Sequence, residues 1–318
     1  MAFEKVLPQH PDKIADRIAG AIVDHCYTHS EGGWLKSNPR VAVEVLLGHG
    51  KCYVMIETSC TRAELSCNDV DDIVHRIVGD VEIFVTICDQ DPELSKNQKD
   101  GIKAADNGLF RGCPPTEEQR VLTAIAATIY GSIPYDGKYI IEQRYKCEGE
   151  KICDAPVTHS LKMSKFYDLT VCQSHLSREQ EPELRRMLKE AYNVHLPTIN
   201  PLGPWTGGID VDCGCTNRKL GSDMGDGVTG GGLIGKDLSK ADVSVNIVCY
   251  LKAVASGQTV TAMCSIGDES VTFQYADGKT ETETFADIVE MARLYILVDC
   301  NGSFENFSAW GLIRPKDE

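Results

Sequence analysis

The chain has 318 residues, 42% of them hydrophobic, which is enough to bury a real core and to form two or three domains or subdomains. Its formal charge of −15 argues against nucleic acid or an anionic membrane as the main partner, because both reward a basic surface. No apolar run approaches the ~20 residues that span a bilayer, and the N-terminus lacks the apolar stretch of a signal peptide. The fourteen cysteines contain no C-x-x-C pair, so they read as reduced, mostly buried thiols of a cytoplasmic protein rather than a disulfide framework or zinc site.

In "HPDKIADRIAGAIVD" (10–24), Pro11 suits the first position of a helix, where its missing N–H costs nothing. Ile14, Ile18 and Ile22, with Ala15, Ala19 and Val23, recur at helical spacing, and Asp12, Asp16, Arg17 and Asp24 fall on the other side. The plain reading of this segment is a surface helix. "RVAVEVLL" (40–47) and "KCYVMIET" (51–58) alternate at period two around Gly48-His49-Gly50 and predict a hairpin. Asn68 can cap a helix carrying Val70, Ile73, Val74 and Ile77, and a strand follows at 81–88. Residues 89–115 lack any apolar period, and the segment 95–113, with Gly101, Gly108 and Gly112, is expected to be a mobile loop that closes over substrate.

The same grammar then returns. Thr116 with Gln119 forms a capping box for a helix over 117–130, before strands at 138–146 and 166–175, a helix at 178–192 and a short strand near 194–199. A third pass has a helix near 240–255, strands near 259–266 and 270–275, and a helix at 285–296. Helix, two strands, helix thus appears three times at roughly 100-residue spacing, which predicts an α+β protein of three similar units, each a sheet covered on one face by helices. The expected divisions are 1–112, 113–204 and 205–318.

Residues 200–242, "NPLGPWTGGIDVDCGCTNRKLGSDMGDGVTGGGLIGKDLSKAD", are dense in glycine, which implies a backbone with positive φ or close approach to a ligand. Arg218, Lys219, Lys236 and Lys240 stand among Asp210, Asp212, Asp223, Asp226, Asp237 and Asp242. Cations on such a backbone suit polyphosphate, and carboxylates beside them suit Mg²⁺ bound to that phosphate. "GLIGKDLS" lacks the spacing of a Walker A loop.

Taken in order, "HPDKIADRI", "VEV" with Glu44, "IET" with Glu57, "ADNGLFRG", "YDGK", "INPLGPW", "DCGCTNRK" and "GGGLIGKDLSKAD" resemble the S-adenosylmethionine synthetase (methionine adenosyltransferase) family. The resemblance spans residues 10 to about 250. It implies three α+β units with pseudo-threefold symmetry. It also implies formation of S-adenosylmethionine from ATP and L-methionine, with release of phosphate and diphosphate.

Carried over by motif, His10, Lys138, Arg218 and Lys236 would be catalytic, with His10 at the phosphate oxygen next to C5′. Lys13, Lys219 and Lys240 would join Arg218 and Lys236 on ATP, and Trp205 would stack on adenine. Glu57, Asp106 and Asp212 would hold the methionine or ribose end. Asp12 and Asp242 would bind Mg²⁺, two ions per site, and Glu44 would bind K⁺. The resemblance further implies a homodimer or dimer of dimers. Without it, Glu44 reads as a solvent-facing strand carboxylate, Trp205 as core packing and Lys138 as a turn lysine.

The sequence departs from the family pattern at several points. Leu7-Pro8-Gln9 stand for Ser-Glu-Gly, Ala105-Asp106-Asn107-Gly108 for Gly-Asp-Gln-Gly, Pro204 for an arginine and Asn217 for a glycine. The C-terminal unit also ends before the family's closing aromatic and basic stretch, so a shortened, divergent member is expected. These departures leave a second reading open, a degenerate homologue that binds nucleotide or S-adenosylmethionine as a sensor or regulatory subunit.

Overall fold

A computed structural model describes residues 2–36, 38–93, 101–147, 152–153 and 163–315. In chain order the helices are α1 (Pro11–His29), α2 (Gly33–Lys36), α3 (Cys67–Val78), α4 (Glu117–Ser132), α5 (Glu181–Tyr192), α6 (Leu220–Met224), α7 (Ala241–Ser256), α8 (Phe285–Asp299) and α9 (Phe304–Trp310). The strands are β1 (Ala2–Val6), β2 (Val41–Gly48), β3 (Lys51–Thr58), β4 (Glu82–Asp89), β5 (Gly108–Gly112), β6 (Gly137–Cys147) and β7 (Ile152–Cys153). They continue as β8 (Met163–Gln173), β9 (Thr198–Ile199), β10 (Gly214–Cys215), β11 (Val260–Cys264), β12 (Ser270–Tyr275) and β13 (Thr280–Thr284). The result is an α+β protein with three sheets among the described residues, each packed against helices.

The chain divides into two compact units. The first gathers Met1–His10, Pro115–Gly208 and Ile313–Glu318. Its sheet runs β1-β6-β8-β9, with β7 pairing β6, and α4 lies on β1 and β6. The predicted capping box starts α4: Thr116 Oγ1 accepts from the Gln119 N–H at 3.4 Å and Gln119 Oε1 accepts from the Thr116 N–H at 3.0 Å.

The second unit, Pro11–Pro114 with Ile209–Leu312, holds the other two sheets. One runs β10-β2-β3-β4, with α1 on β2 and β10 and α3 beside α1 and β4. β2 and β3 form the predicted hairpin, closed by His49 and Gly50 at φ 52° and 75°, the positive angles that a tight two-residue turn needs. The other sheet runs β13-β12-β11-β5, with α7 on β5 and β11 and α8 on α7. Ile18 and Ile22 of α1, Val43 and Val45 of β2, Ile247 of α7 and Phe273 of β12 belong to one continuous core of this unit.

Three local readings change. α1 is not a surface helix, because its polar side is also buried: Gly20 lies where any Cβ would strike the Phe304 carbonyl of α9, and Asp24 accepts from the Phe304 and Glu305 N–H groups at 2.7 and 2.9 Å. α3 is capped by Ser66 rather than Asn68, because the Ser66 hydroxyl and the Asp69 carboxylate satisfy each other's backbone N–H groups. Within the stretch expected to be a mobile loop, 108–112 form β5, paired along its length with β11, while 95–100 lie outside the described residues.

Every cysteine among the described residues whose state is defined is a free thiol, and six of them are buried. No helix among the described residues is long and apolar enough to cross a membrane.

Candidate active site

In the second unit the glycine-rich segment folds onto the first turn of α1. Gly214 of β10 sits against the Pro11 carbonyl, where a side chain has no room, so the chain passes directly over the helix N-terminus. Asp12, only 2% exposed, accepts from the Cys215 N–H through Oδ1 at 2.9 Å. Arg218 Nη1 and Lys219 Nζ each lie 3.4 Å from one of its two oxygens. A carboxylate in the first turn suits the positive end of the helix dipole, and here it also collects the two cations of "NRK".

Asn217 explains its own departure from the family glycine. It adopts φ 61°, a left-handed conformation that asparagine tolerates. Its amide then accepts from the Ile234 N–H at 2.9 Å and donates to the Ile234 carbonyl at 3.1 Å. This joins the arm carrying Arg218 and Lys219 to the arm carrying Lys236. On that second arm Lys236 Nζ lies 2.7 Å from Asp242 Oδ2. Gly231 packs against the Asp242 carboxylate, where a Cβ would collide. Buried Asp237 fixes the arm to β2 by accepting from the Val41 N–H at 2.9 Å, and it accepts from the Ser239 N–H at 2.8 Å. Lys240 is the half-buried N-cap residue of α7 and makes no side-chain capping bond.

Lys13 is placed differently from the expectation that it contacts ATP. It is 1% exposed, and its ammonium donates to Asp16 at 2.9 Å and Asp223 at 2.8 Å. With its charge spent on two buried carboxylates, it presents no surface to a ligand. Burial alone would lower the pKa of this lysine, but Asp16 and Asp223 outweigh it and hold it above the ordinary value. Burial likewise pushes the Asp16 carboxyl up, against the pull of Lys13.

The remaining carboxylates are dispersed. Glu44 accepts from the Thr216 hydroxyl on the outer face of β2. Glu57 is exposed on β3, Asp106 accepts from the Asn107 N–H at 2.8 Å, and Asp212 accepts from the Cys213 N–H at 2.7 Å. None of these three is tied by a hydrogen bond or ion pair to the cation cluster among the described residues.

His10, Lys138 and Trp205 belong to the first unit. His10 is 8% exposed, and its N–H donates to the Leu7 carbonyl at 2.9 Å, while the Leu7 N–H donates to Gly137 at 2.9 Å. Lys138 stands opposite Val6 in the β1–β6 register and pairs with Glu4 at 2.8 Å. The Trp205 indole, 36% exposed, donates to Asn200 Oδ1 at 3.2 Å and lies over Gly207. The Gly208 N–H donates to Asp136 Oδ2 at 2.8 Å, which carries the Trp205 segment to the start of β6.

Asp16, Asn217, Asp223 and Asp237 hold the two arms in place without a sequence signal for that role. Asp16 fell on the side of α1 read as solvent-facing, and the others were visible only as members of the glycine-rich segment. Their partners lie too far away in sequence for periodicity to reveal them. No cluster of three or more His, Cys, Asp or Glu residues able to hold a metal ion occurs among the described residues.

Residues 1–91 match the family profile of the S-adenosylmethionine synthetase N-terminal domain. S-adenosylmethionine synthase 1 of Rhodopseudomonas palustris is 27% identical over 313 residues, covering 88% of this chain and 78% of that protein. S-adenosylmethionine synthase 1 of Rhodospirillum rubrum is 26% identical over 99% of this chain and 88% of its own length. The S-adenosylmethionine synthase of Helicobacter pylori is 27% identical over 98% of this chain and 89% of its own length. Over most of its length the chain is thus similar to S-adenosylmethionine synthases, and its first 91 residues match the N-terminal domain of that family.

Proposed function

We propose that the protein forms S-adenosylmethionine from ATP and L-methionine. The methionine sulfur attacks C5′ of ATP, the C5′–O bond breaks with its electron pair leaving on the triphosphate, and the triphosphate is then hydrolysed to phosphate and diphosphate. The sulfur is already a nucleophile, so the protein's task is alignment and stabilisation of charge on the leaving group. The observation that carries this reading is the stapled pair of arms in which Arg218, Lys219 and Lys236 are pre-positioned by Asp12, Asn217 and Asp242.

In this reading those cations, with Lys240 and Lys138, hold the phosphates, His10 donates to the oxygen leaving C5′, and Trp205 supports the adenine. Glu57, Asp106 and Asp212 hold the methionine or ribose end. Asp12 and Asp242 fit Mg²⁺, a hard cation usually held by one or two carboxylates together with substrate phosphates rather than by a full protein cage. Bound there, Mg²⁺ would neutralise charge on the triphosphate. Glu44 with the Thr216 hydroxyl offers oxygen donors of the kind K⁺ takes.

Purified protein given ATP, methionine, Mg²⁺ and K⁺ is expected to produce S-adenosylmethionine detectable by mass spectrometry. Binding of ATP or S-adenosylmethionine without turnover would instead support the sensor reading.

The outer face of the β10-β2-β3-β4 sheet bears on the oligomer. Leu46, Tyr53, Met55 and Phe84 are exposed there, with the Tyr53 and Phe84 rings stacked at 4.7 Å. An apolar sheet face of this kind calls for a cover, and a second copy of the chain supplies a self-complementary one. Light scattering at micromolar concentration is expected to give the mass of a dimer or dimer of dimers. A fully active monomer would exclude it.

A further inference from the structure

The phosphate arm is held from beneath by a group that itself faces no ligand. Lys13, Asp16 and Asp223 are all essentially without exposure, and the ammonium spans the two carboxylates at 2.9 and 2.8 Å. Asp16 also accepts from the Asn217 N–H at 2.8 Å, immediately before Arg218. The Asp223 N–H donates to the Lys219 carbonyl at 3.1 Å, so the far end of the same short segment is tied to the triad as well. The two cations of the arm therefore lie between two anchor points that meet at one buried lysine 210 residues away in sequence from Asp223.

A second set of contacts closes on Asp223 from the other side. Gly311, at φ 69°, packs where any Cβ would overlap the Asp223 side chain, and the Leu312 N–H donates to the Asp223 carbonyl at 2.9 Å. Asp223 Oδ2 has no hydrogen-bond partner among the described residues. An aspartate enclosed this tightly, with one oxygen unsatisfied, is expensive to bury for stability alone. Its geometry is explained if it sets the position of the backbone that carries Arg218 and Lys219.

We propose that Lys13, Asp16 and Asp223 are positioning residues for polyphosphate binding, holding Arg218 and Lys219 where a triphosphate meets them. This rests on the proposed function in naming the ligand class, while the anchoring itself does not depend on it. Asp223 is the side chain to vary, because its removal leaves Lys13 paired with Asp16 and strands no buried charge. Asp223→Asn keeps the shape and an acceptor oxygen for Lys13, whereas Asp223→Ala removes the tether.

The test compares wild type, Asp223→Ala and Asp223→Asn as the full chain, with folding monitored by far-UV circular dichroism well below the melting temperature. Titration with inorganic tripolyphosphate by calorimetry is expected to show Kd at least tenfold weaker in Asp223→Ala and within threefold of wild type in Asp223→Asn. Amide exchange followed by mass spectrometry is expected to speed up at least tenfold in peptides covering 215–223 of Asp223→Ala, and not in α7 or β2. Unchanged exchange in that segment overturns the anchoring. Faster exchange with unchanged Kd overturns the positioning role. If wild type binds no tripolyphosphate, the proposed function fails at this site, and the exchange arm still decides whether the triad anchors the arm.

Discussion

Arg218→Gln is expected to lower kcat/KM for S-adenosylmethionine formation by roughly 10²–10³-fold, the scale of losing one pre-positioned donor at developing charge. The side chain is 56% exposed and its contact with Asp12 is 3.4 Å, so its removal is expected to change stability by no more than about 1 kcal/mol. Glutamine keeps part of the stem and can still donate a hydrogen bond, but it cannot offset the charge that accumulates on the triphosphate when the C5′–O bond breaks. The fall is expected mainly in kcat, because the charge appears in the transition state more than in bound ATP. Steady-state kinetics beside a melting curve check this. Activity within threefold of wild type would remove Arg218 from the phosphates.

Lys13→Met is expected to lower stability as well as to loosen the arm that carries Arg218 and Lys219. It leaves Asp16 and Asp223 buried without the cation between them, and breaking a buried pair in this way costs about 3–5 kcal/mol. In a chain of this size that corresponds to a fall in melting temperature on the order of 10 °C. A threefold replacement, Lys13→Met with Asp16→Asn and Asp223→Asn, removes the stranded charges and is expected to recover most of the loss. Calorimetric melting of the two variants beside wild type is the measurement. A Lys13→Met protein that melts like wild type would show that the triad is not under the electrostatic load its burial implies.

Features set by near neighbours in the chain were legible. The apolar stripe of α1, the β2–β3 hairpin with its Gly48-His49-Gly50 turn, and the Thr116–Gln119 box follow from residues within four positions of one another. The short strand β5 was not legible. β5 contains only Leu109 and Phe110 as apolar residues and owes its form to pairing with β11, some 150 positions later. The polar side of α1 escaped for a similar reason, since Asp12, Asp16 and Asp24 look solvent-facing until Cys215, Asn217 and Phe304 are brought onto them.

At the candidate site, glycine density and interleaved charge marked the segment whose cations are held by Asp12, Asn217 and Asp242. The division of labour among its charges was not readable, because Lys13 and Arg218 are both basic residues in family motifs. Only burial separates the one that holds the arm from the one left facing outward.

The first unit is assembled from the beginning, the middle and the end of the chain. β1 lies at the edge of its sheet, and Lys5 within it, wholly buried, donates to the carbonyl of Ile313 at 2.5 Å. During synthesis β1 therefore waits, its partner in β6 more than a hundred positions later and the Ile313 carbonyl some three hundred positions later. Such closure is slow, because loop entropy must be spent before the contacts that reward it exist. Until then β1 and its lysine are exposed to whatever else is nearby, so a cell making this protein quickly must shield that strand until both partners have been made.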